Sequence, residues 1–423
     1  MCLIPTSFLP LKTATYCSTM ASNFDVPPGN VLTHLEPFTL HVPEEELEHL
    51  KNLLEMSNIG PTTWWNQQDD SRFGVSREWL LKAKDVWLST FDWRKHEVYI
   101  NNFPNFKVTI KETDSCQIDV HFAALFSKRK DAIPIIFLHG FPSSFMDFLP
   151  MMDLLRNKYT PESLPYHIIA PSLPDYGLSG SLSQNLEMTL ERAASIMNGL
   201  MIALGFEKGY VAQGGDLGSM IARLMSVNHK ECKAFHVNML TLEPGSAPPS
   251  TDCLAPEDLR ILERTLKWQQ DGLAYALEHG TRPATVGLAI SSSPLSLLAW
   301  LGEKLLEWTD PREQLPLDTI LGLMSFYWFT QTFPRSLYHA NLVRNYSAGI
   351  PHPISTEKPL GYSMFAYDLA VLPKPWVQEI YPNLAFFNAH SKGGHFASLE
   401  RPSEFLEDIE RFLQAVNGLF EVE

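Results

Sequence analysis

The chain contains no Gly-x-Ser-x-Gly, no Cys-x-x-Cys, no internal repeat and no low-complexity tract. The first absence disfavours a serine hydrolase, because that pattern places a serine on the strained turn such enzymes use. The five cysteines (Cys2, Cys17, Cys116, Cys232, Cys253) are odd in number and widely spaced, so neither a zinc site nor a disulfide framework is indicated, and a reducing compartment fits. Basic charge is also in deficit: a net charge of −15 excludes a general electrostatic grip on nucleic acid or anionic membrane. No run reads as a clean transmembrane helix. The longest apolar region, Thr285 to Leu301, is interrupted by Pro294 and four serines and reads as a buried helical region. The first thirty residues have Lys12 as their lone basic residue, and Pro5 and Pro10 break their short apolar run. A disordered tail is therefore a simpler reading than a signal or transit peptide, and Met20 is an alternative start.

What is present is a large apolar complement. Of 423 residues 45% are hydrophobic, with 10 Trp, 13 Tyr and 25 Phe, enough for a sizeable core. Pro43 followed by three glutamates opens a helix with Leu47, Leu50, Leu53 and Leu54 on one face; Pro43 suits its first position. A second helix begins after Ser76 and carries Trp79, Leu80, Ala83, Val86 and Trp87 at helical spacing. Trp64 and Trp65, between the two, read as packing residues. Phe106 to Lys111 and Ile118 to Phe126 alternate as an antiparallel hairpin.

Beyond the hairpin, apolar strands and helices alternate. The strands are Ala132 to Leu138, His167 to Ala170, Tyr210 to Gln213 and Ala234 to Met239, with helices near Phe148 to Leu155, Leu190 to Leu204 and Leu217 to Met225. Continuous apolar strands separated by helices specify an α/β fold with a mostly parallel sheet covered on both faces. From Leu240 to about His352 the chain turns helical and rich in Trp and Leu, as an inserted helical cap would be. Strand signals return at Leu360 to Ala366 and Asn383 to Phe387, and an amphipathic helix over Ser403 to Val416 follows. The expected division is a disordered tail over 1–34, an N-terminal meander over 35–105, the core over 106–240, the cap over 241–352 and the rest of the core over 353–423.

The chemistry centres on Gly214-Gly215-Asp216-Leu217-Gly218, between a strand and a helix. Taken alone this is as compatible with an ordinary strand-to-helix loop as with a nucleophile elbow. In the elbow reading the central carboxylate is exposed above the sheet and can attack carbon directly, forming an ester. An elbow calls for an acid and then a histidine further along the chain. Asp368 and His395 lie near the ends of the two following strands, in that order, with His395 in a glycine-flanked loop. Asp368 would orient His395 and stabilise its charged form. After the first strand of the alternating series, His139-Gly140-Phe141-Pro142 occupies the place that usually completes an oxyanion hole, formed here by the backbone amides of Phe141 and Leu217. His139 itself reads as structural.

These motifs resemble the epoxide hydrolases of the α/β-hydrolase fold, in the branch with microsomal and fungal forms. The similarity runs from about Pro37 onward. It includes Phe91-Asp92-Trp93-Arg94 in the meander, the three catalytic motifs, and the cap sequences around Ala274 to His279, Thr281 to Pro283, Ser292 to Leu295 and Trp300 to Lys304. The resemblance implies two cap tyrosines that hydrogen-bond the epoxide oxygen. Tyr275 matches the first, and Tyr338 matches the second better than the nearby Tyr327. It further implies no metal or organic cofactor, a small apolar epoxide and water as reactants, no integral membrane span, and a soluble cytoplasmic enzyme, with peripheral membrane attachment and a homodimer compatible with it. Two positions depart from the pattern. Phe141 stands where many relatives have Trp, and Leu217 where many have an aromatic residue. Leu217 alters the pocket wall and so the substrate preference. The alternatives are a haloalkane dehalogenase, a biosynthetic epoxide-opening cyclase and a non-catalytic ligand-binding homologue.

Overall fold

The computed structural model describes residues 24–68, 72–113, 116–242, 246–350 and 352–420. Of the 1–34 segment expected to be disordered, residues 1–23 lie outside the described residues. Residues 24–34 are instead held against the fold at several points, although most of them are exposed. Phe24 is buried and its carbonyl accepts from the Phe126 amide at 2.9 Å, and the Leu32 amide reaches the Ala203 carbonyl at 2.9 Å. Helix α1 (Glu44–Met56) buries Leu50 and Leu54, and Pro43 precedes it as the capping residue, one position outside the expected place. Helix α2 (Arg77–Ser89) starts after Ser76, whose hydroxyl accepts from the Trp79 amide, and helix α3 (Trp93–Asn101) is capped by Asp92. Trp87 is buried, whereas Trp64 and Trp65 are 57% and 61% exposed and pack on each other and on Phe73 at the surface.

The nine strands among the described residues form one sheet in the order β1-β2-β3-β5-β4-β6-β7-β8-β9. β1 (Glu36–Pro37), β2 (Asn105–Thr113) and β3 (Cys116–Leu125) pair antiparallel, with Phe106 opposite Phe122. β3 also runs antiparallel to β5 (Tyr166–Pro171). β4 (Ile133–Leu138) lies parallel between β5 and β6 (Tyr210–Gly214), followed in parallel by β7 (Cys232–Val237), β8 (Leu360–Tyr367) and β9 (Leu384–Gly394). Every residue of β4, β5 and β6 is buried, which is why their sequences show no alternation. β9 runs seven residues further than its apolar signal, because Asn388 to Gly394 remain paired with β8 up to Tyr367.

Helices α4 (Leu149–Lys158), α5 (Leu190–Ala203) and α6 (Asp216–Asn228) connect the parallel strands. Between β7 and β8 come α7 (Pro256–Asp271), α8 (Ala274–Thr281), α9 (Pro283–Ile290), α10 (Pro294–Glu307), α11 (Leu317–Phe329), α12 (Thr332–Arg335) and α13 (Ala340–Ser347), with no strand among the described residues of this cap. Helices α14 (Lys374–Ile380), α15 (Ala397–Glu400) and α16 (Pro402–Val416) follow. Two apolar clusters fill the molecule. The larger joins one face of the sheet to α5, α6 and the cap, and the other packs α4 and α16 on the opposite face. Among the described residues no single helix is long and apolar enough to cross a membrane.

Candidate active site

The ends of β4, β6, β8 and β9 converge beneath the cap. At the end of β6 the chain must turn sharply into α6. A side chain on Gly214 would overlap the Gly218 carbonyl, and one on Gly218 would overlap the Leu138 carbonyl, so only glycine permits this approach. Asp216, between them, has φ of +47°, in the left-handed region that a non-glycine residue occupies at a cost. This strained turn presents the carboxylate to the turn that follows β4. The Phe141 amide donates to Asp216 Oδ1 at 2.7 Å, and the Leu217 amide also bonds the carboxylate.

His395 lies just past β9, and its backbone amide is tied to the Trp308 carbonyl at 2.8 Å. Its Nδ1 is 2.7 Å from Asp368 Oδ1, and its Nε2 is 3.4 Å from Asp216 Oδ2. The Leu369 amide also donates to Asp368 Oδ1 at 2.7 Å, fixing that carboxylate. Thus Asp216, Asp368 and His395, distant in sequence, form one chain of hydrogen-bonding groups. The imidazole and Asp368 are almost fully buried, while a quarter of the Asp216 side chain remains accessible.

Burial opposes charge on all three groups. For Asp216 the His395 hydrogen bond and charge, with the two amides, outweigh burial and hold the carboxyl below the usual carboxylate range. For His395 burial is outweighed by the Asp368 charge and the bonds to both carboxylates, so the imidazole keeps its proton up to about 10. Burial outweighs the His395 charge at Asp368 and lifts that carboxyl somewhat. The resting site is therefore an imidazolium held between two carboxylates.

Burial also raises the hydroxyls of Tyr275, Tyr327 and Tyr338 well above the ordinary phenol value, so all three remain protonated donors. Their partners differ. The Tyr327 hydroxyl is committed to the Ser143 carbonyl at 2.9 Å. The Tyr338 hydroxyl is buried without a partner among the described residues, its ring edge-on to Tyr176. Tyr275 stacks on Phe141 with centroids 6.2 Å apart, lies in the field of Asp216, and has the Lys304 ammonium 4.6 Å above its ring.

Several further residues, given no catalytic role by the sequence, shape the site. The Glu400 carboxylate accepts from the amides of Gly394 (2.9 Å), Asp310 (2.9 Å) and Phe396 (3.0 Å), clamping the His395 loop. Trp300 donates to His279 Nε2 at 3.0 Å, so His279 donates from Nδ1 to His339 Nε2 at 2.9 Å; this neutral relay braces α8 against the turn carrying Tyr338. His139 accepts from the Leu173 amide at 3.0 Å and, with Nδ1 protonated, donates to the Gly140 carbonyl, a structural role. Asp147, four residues after Ser143, is buried beneath the elbow.

A mostly parallel sheet, a strained acidic elbow, a histidine–carboxylate pair and a helical cap define a member of the α/β-hydrolase class. Residues 35–148 match the family profile described as "Epoxide hydrolase N terminus", and residues 133–315 that described as "alpha/beta hydrolase fold". The chain is 42% identical to a solved structure of Aspergillus niger epoxide hydrolase, with a TM-score of 0.86 covering 93% of this chain and 99% of that one. It is 30% identical to epoxide hydrolase 1 of Sus scrofa over 409 residues, 90% of this chain and 88% of that protein. A Dothistroma septosporum protein provisionally named as an epoxide hydrolase is 43% identical, covering 92% of each chain. The chain belongs to the epoxide hydrolase family.

Proposed function

We propose that this chain converts a small, apolar epoxide and water to a vicinal diol through a hydroxyalkyl ester on Asp216. The observation that carries the residue roles is the position of the Asp216 carboxylate. It projects from a strained elbow, with the Phe141 amide 2.7 Å from one oxygen and His395 3.4 Å from the other.

Asp216 Oδ2 attacks an epoxide carbon; the ester C–O bond forms as the ring C–O bond breaks. Tyr275 and Tyr338 hydrogen-bond the ring oxygen, and one of them protonates the alkoxide. The unpartnered Tyr338 hydroxyl supports this pairing over Tyr327, whose hydroxyl is already engaged. The His395 proton then restores the phenol and leaves a neutral imidazole, oriented by Asp368. That imidazole takes a proton from water as the water oxygen adds to the ester carbonyl. The amides of Phe141 and Leu217 hold the resulting oxyanion. Collapse breaks the ester bond, the departing alkoxide takes the proton from His395, and the proton of the new carboxyl returns to His395.

In this proposal 241–352 acts as the cap and 35–105 as the meander, in a soluble cytoplasmic enzyme. A homodimer through those two segments is the assembly to test by sedimentation. Diol formation from aryl and alkyl epoxides, comparing the wild type with Asp216→Ala, tests the central claim. Diol from the wild type alone is expected. Equal diol from both removes Asp216 as nucleophile, and halide released from a chloroalkane would favour dehalogenation.

A further inference from the structure

A cavity of about 30 Å³ lies on the core side of the Asp216 carboxylate. It is the size of a water site. Its walls include Gly140, Ser143, Asp147, Asp216, Asn238 and His395; no cap residue lines it. None of Tyr275, Tyr327 and Tyr338 lines it.

Asp147 is 5% exposed. Its Oδ2 accepts from the Ser143 hydroxyl, while its Oδ1 is buried with no partner among the described residues. A buried acceptor demands a donor, and water is the donor that fits a chamber this small. Such a water would touch three groups. His395 can accept its first proton, Asp216 Cγ can accept its lone pair, and Asp147 can accept its second hydrogen. The Ser143 end of the chamber is fixed in turn, because the Ser143 carbonyl accepts the Tyr327 hydroxyl.

We propose that Asp147, held by Ser143, positions the water that hydrolyses the Asp216 ester. The inference rests on the reading of Asp216 as nucleophile and deepens it. One proton of the water passes to His395 Nε2 while its oxygen bonds to the ester carbon and the carbonyl electron pair moves onto the oxygen held by Phe141. The second hydrogen stays on the incoming oxygen, directed at Asp147. Burial lifts the Asp147 carboxyl to about 7 and the field of His395 opposes that rise, so the ionised form, present above this value, is the one that favours the imidazolium formed in this step. Asp147 plays no part in ring opening, which occurs on the cap side.

The test is single-turnover rapid quench with intact-protein mass spectrometry, using styrene oxide as the probe. It compares the wild type with Asp147→Asn, which keeps shape and an acceptor oxygen, and Asp147→Ala, which keeps neither. Ester formation is expected at the wild-type rate in both variants. Ester decay is expected to slow about tenfold in Asp147→Asn and about 10²-fold in Asp147→Ala, the loss that follows from misplacing a reactant. Wild-type decay in Asp147→Asn and Asp147→Ala overturns the proposal. So does a parallel loss of formation and decay, the signature of a merely structural residue. If Asp147→Ala does not fold, Asp147→Asn alone decides. Absence of any ester on Asp216, in the wild type and in His395→Gln, would instead bring down the nucleophile assignment itself.

Discussion

Esterification of Asp216 removes a negative charge from beside His395, and this should convert the imidazolium into a base. In the resting site the two groups are 3.4 Å apart. At an effective dielectric of about 20, unit charges at that distance interact by about 5 kcal/mol. At about 1.4 kcal/mol per power of ten, that is worth between about three and four powers of ten in the proton equilibrium. An imidazole that holds its proton up to about 10 in the resting enzyme should therefore ionise near neutrality in the ester. Ring opening needs only ionised Asp216, which is held below the usual carboxylate range. The two steps should consequently differ in pH dependence. Ester decay should fall about tenfold per unit below about pH 7, while ring opening, and with it kcat/KM, stays flat through neutrality. Stopped-flow tryptophan fluorescence between pH 6 and 9 can follow both, because the Trp308 ring lies 5.1 Å from that of His395 and 5.2 Å from that of Tyr275. A shared acid limb near pH 7 in both steps, or ester decay independent of pH, would refute the charge-switch argument.

Three further outcomes are expected. Tyr275→Phe and Tyr338→Phe should each slow ring opening by about tenfold or more, whereas Tyr327→Phe should lose about 1 kcal/mol of stability and leave ring opening unchanged; pre-steady-state rates and urea melts separate the two effects. Glu400→Ala strips the acceptor from the amides of Asp310, Gly394 and Phe396, so it should lower stability by about 3 kcal/mol or more and slow ester decay, measured by melting and rapid quench; an unchanged melt would show that the clamp is dispensable. Burial holds His121 and His279 near 3 and His139, His167, His236 and His339 near 4, so these groups contribute stability that is complete above their unfolded value of about 6.5 and is lost as pH falls toward 4. Asp147, Glu307 and Glu400, raised to about 7, act in the opposite sense, their contribution growing as pH falls through 7. At pH 5 the histidines prevail by about three protons, so stability should fall with a slope of about 4 kcal/mol per pH unit; urea midpoints that stay level from pH 7 to 5 would contradict this.

Which parts of this site were readable in the sequence follows from where each group finds its partner. The elbow was legible because the constraint on it is local: Gly214 and Gly218 must be small for β6 to reach α6 at all. The buried strands were legible for the same reason, since a strand covered on both faces needs apolar residues throughout. Asp368 and His395 could be placed by order along the sheet, since strand ends collect functional groups. By contrast, Pro43, the tethered residues 24–34 and the outward-facing Trp64 and Trp65 depend on what the rest of the chain happens to place beside them. The extension of β9 to Gly394 depends on β8, because Asn388 to Gly394 have no apolar pattern of their own. The same holds at the centre. Around Tyr327 and Tyr338 the family resemblance alone favoured the second; the physical difference is that the Ser143 carbonyl meets one hydroxyl and nothing among the described residues meets the other. Glu400 matters because three amides from two separate segments point at it, and Asp147 because the ends of β4, β6 and β9 enclose a chamber against its free oxygen. Sequence therefore carries the groups whose role is set by their own turn or strand, and the fold must be known before a role can be given to a carboxylate whose surroundings come from segments far apart in the chain.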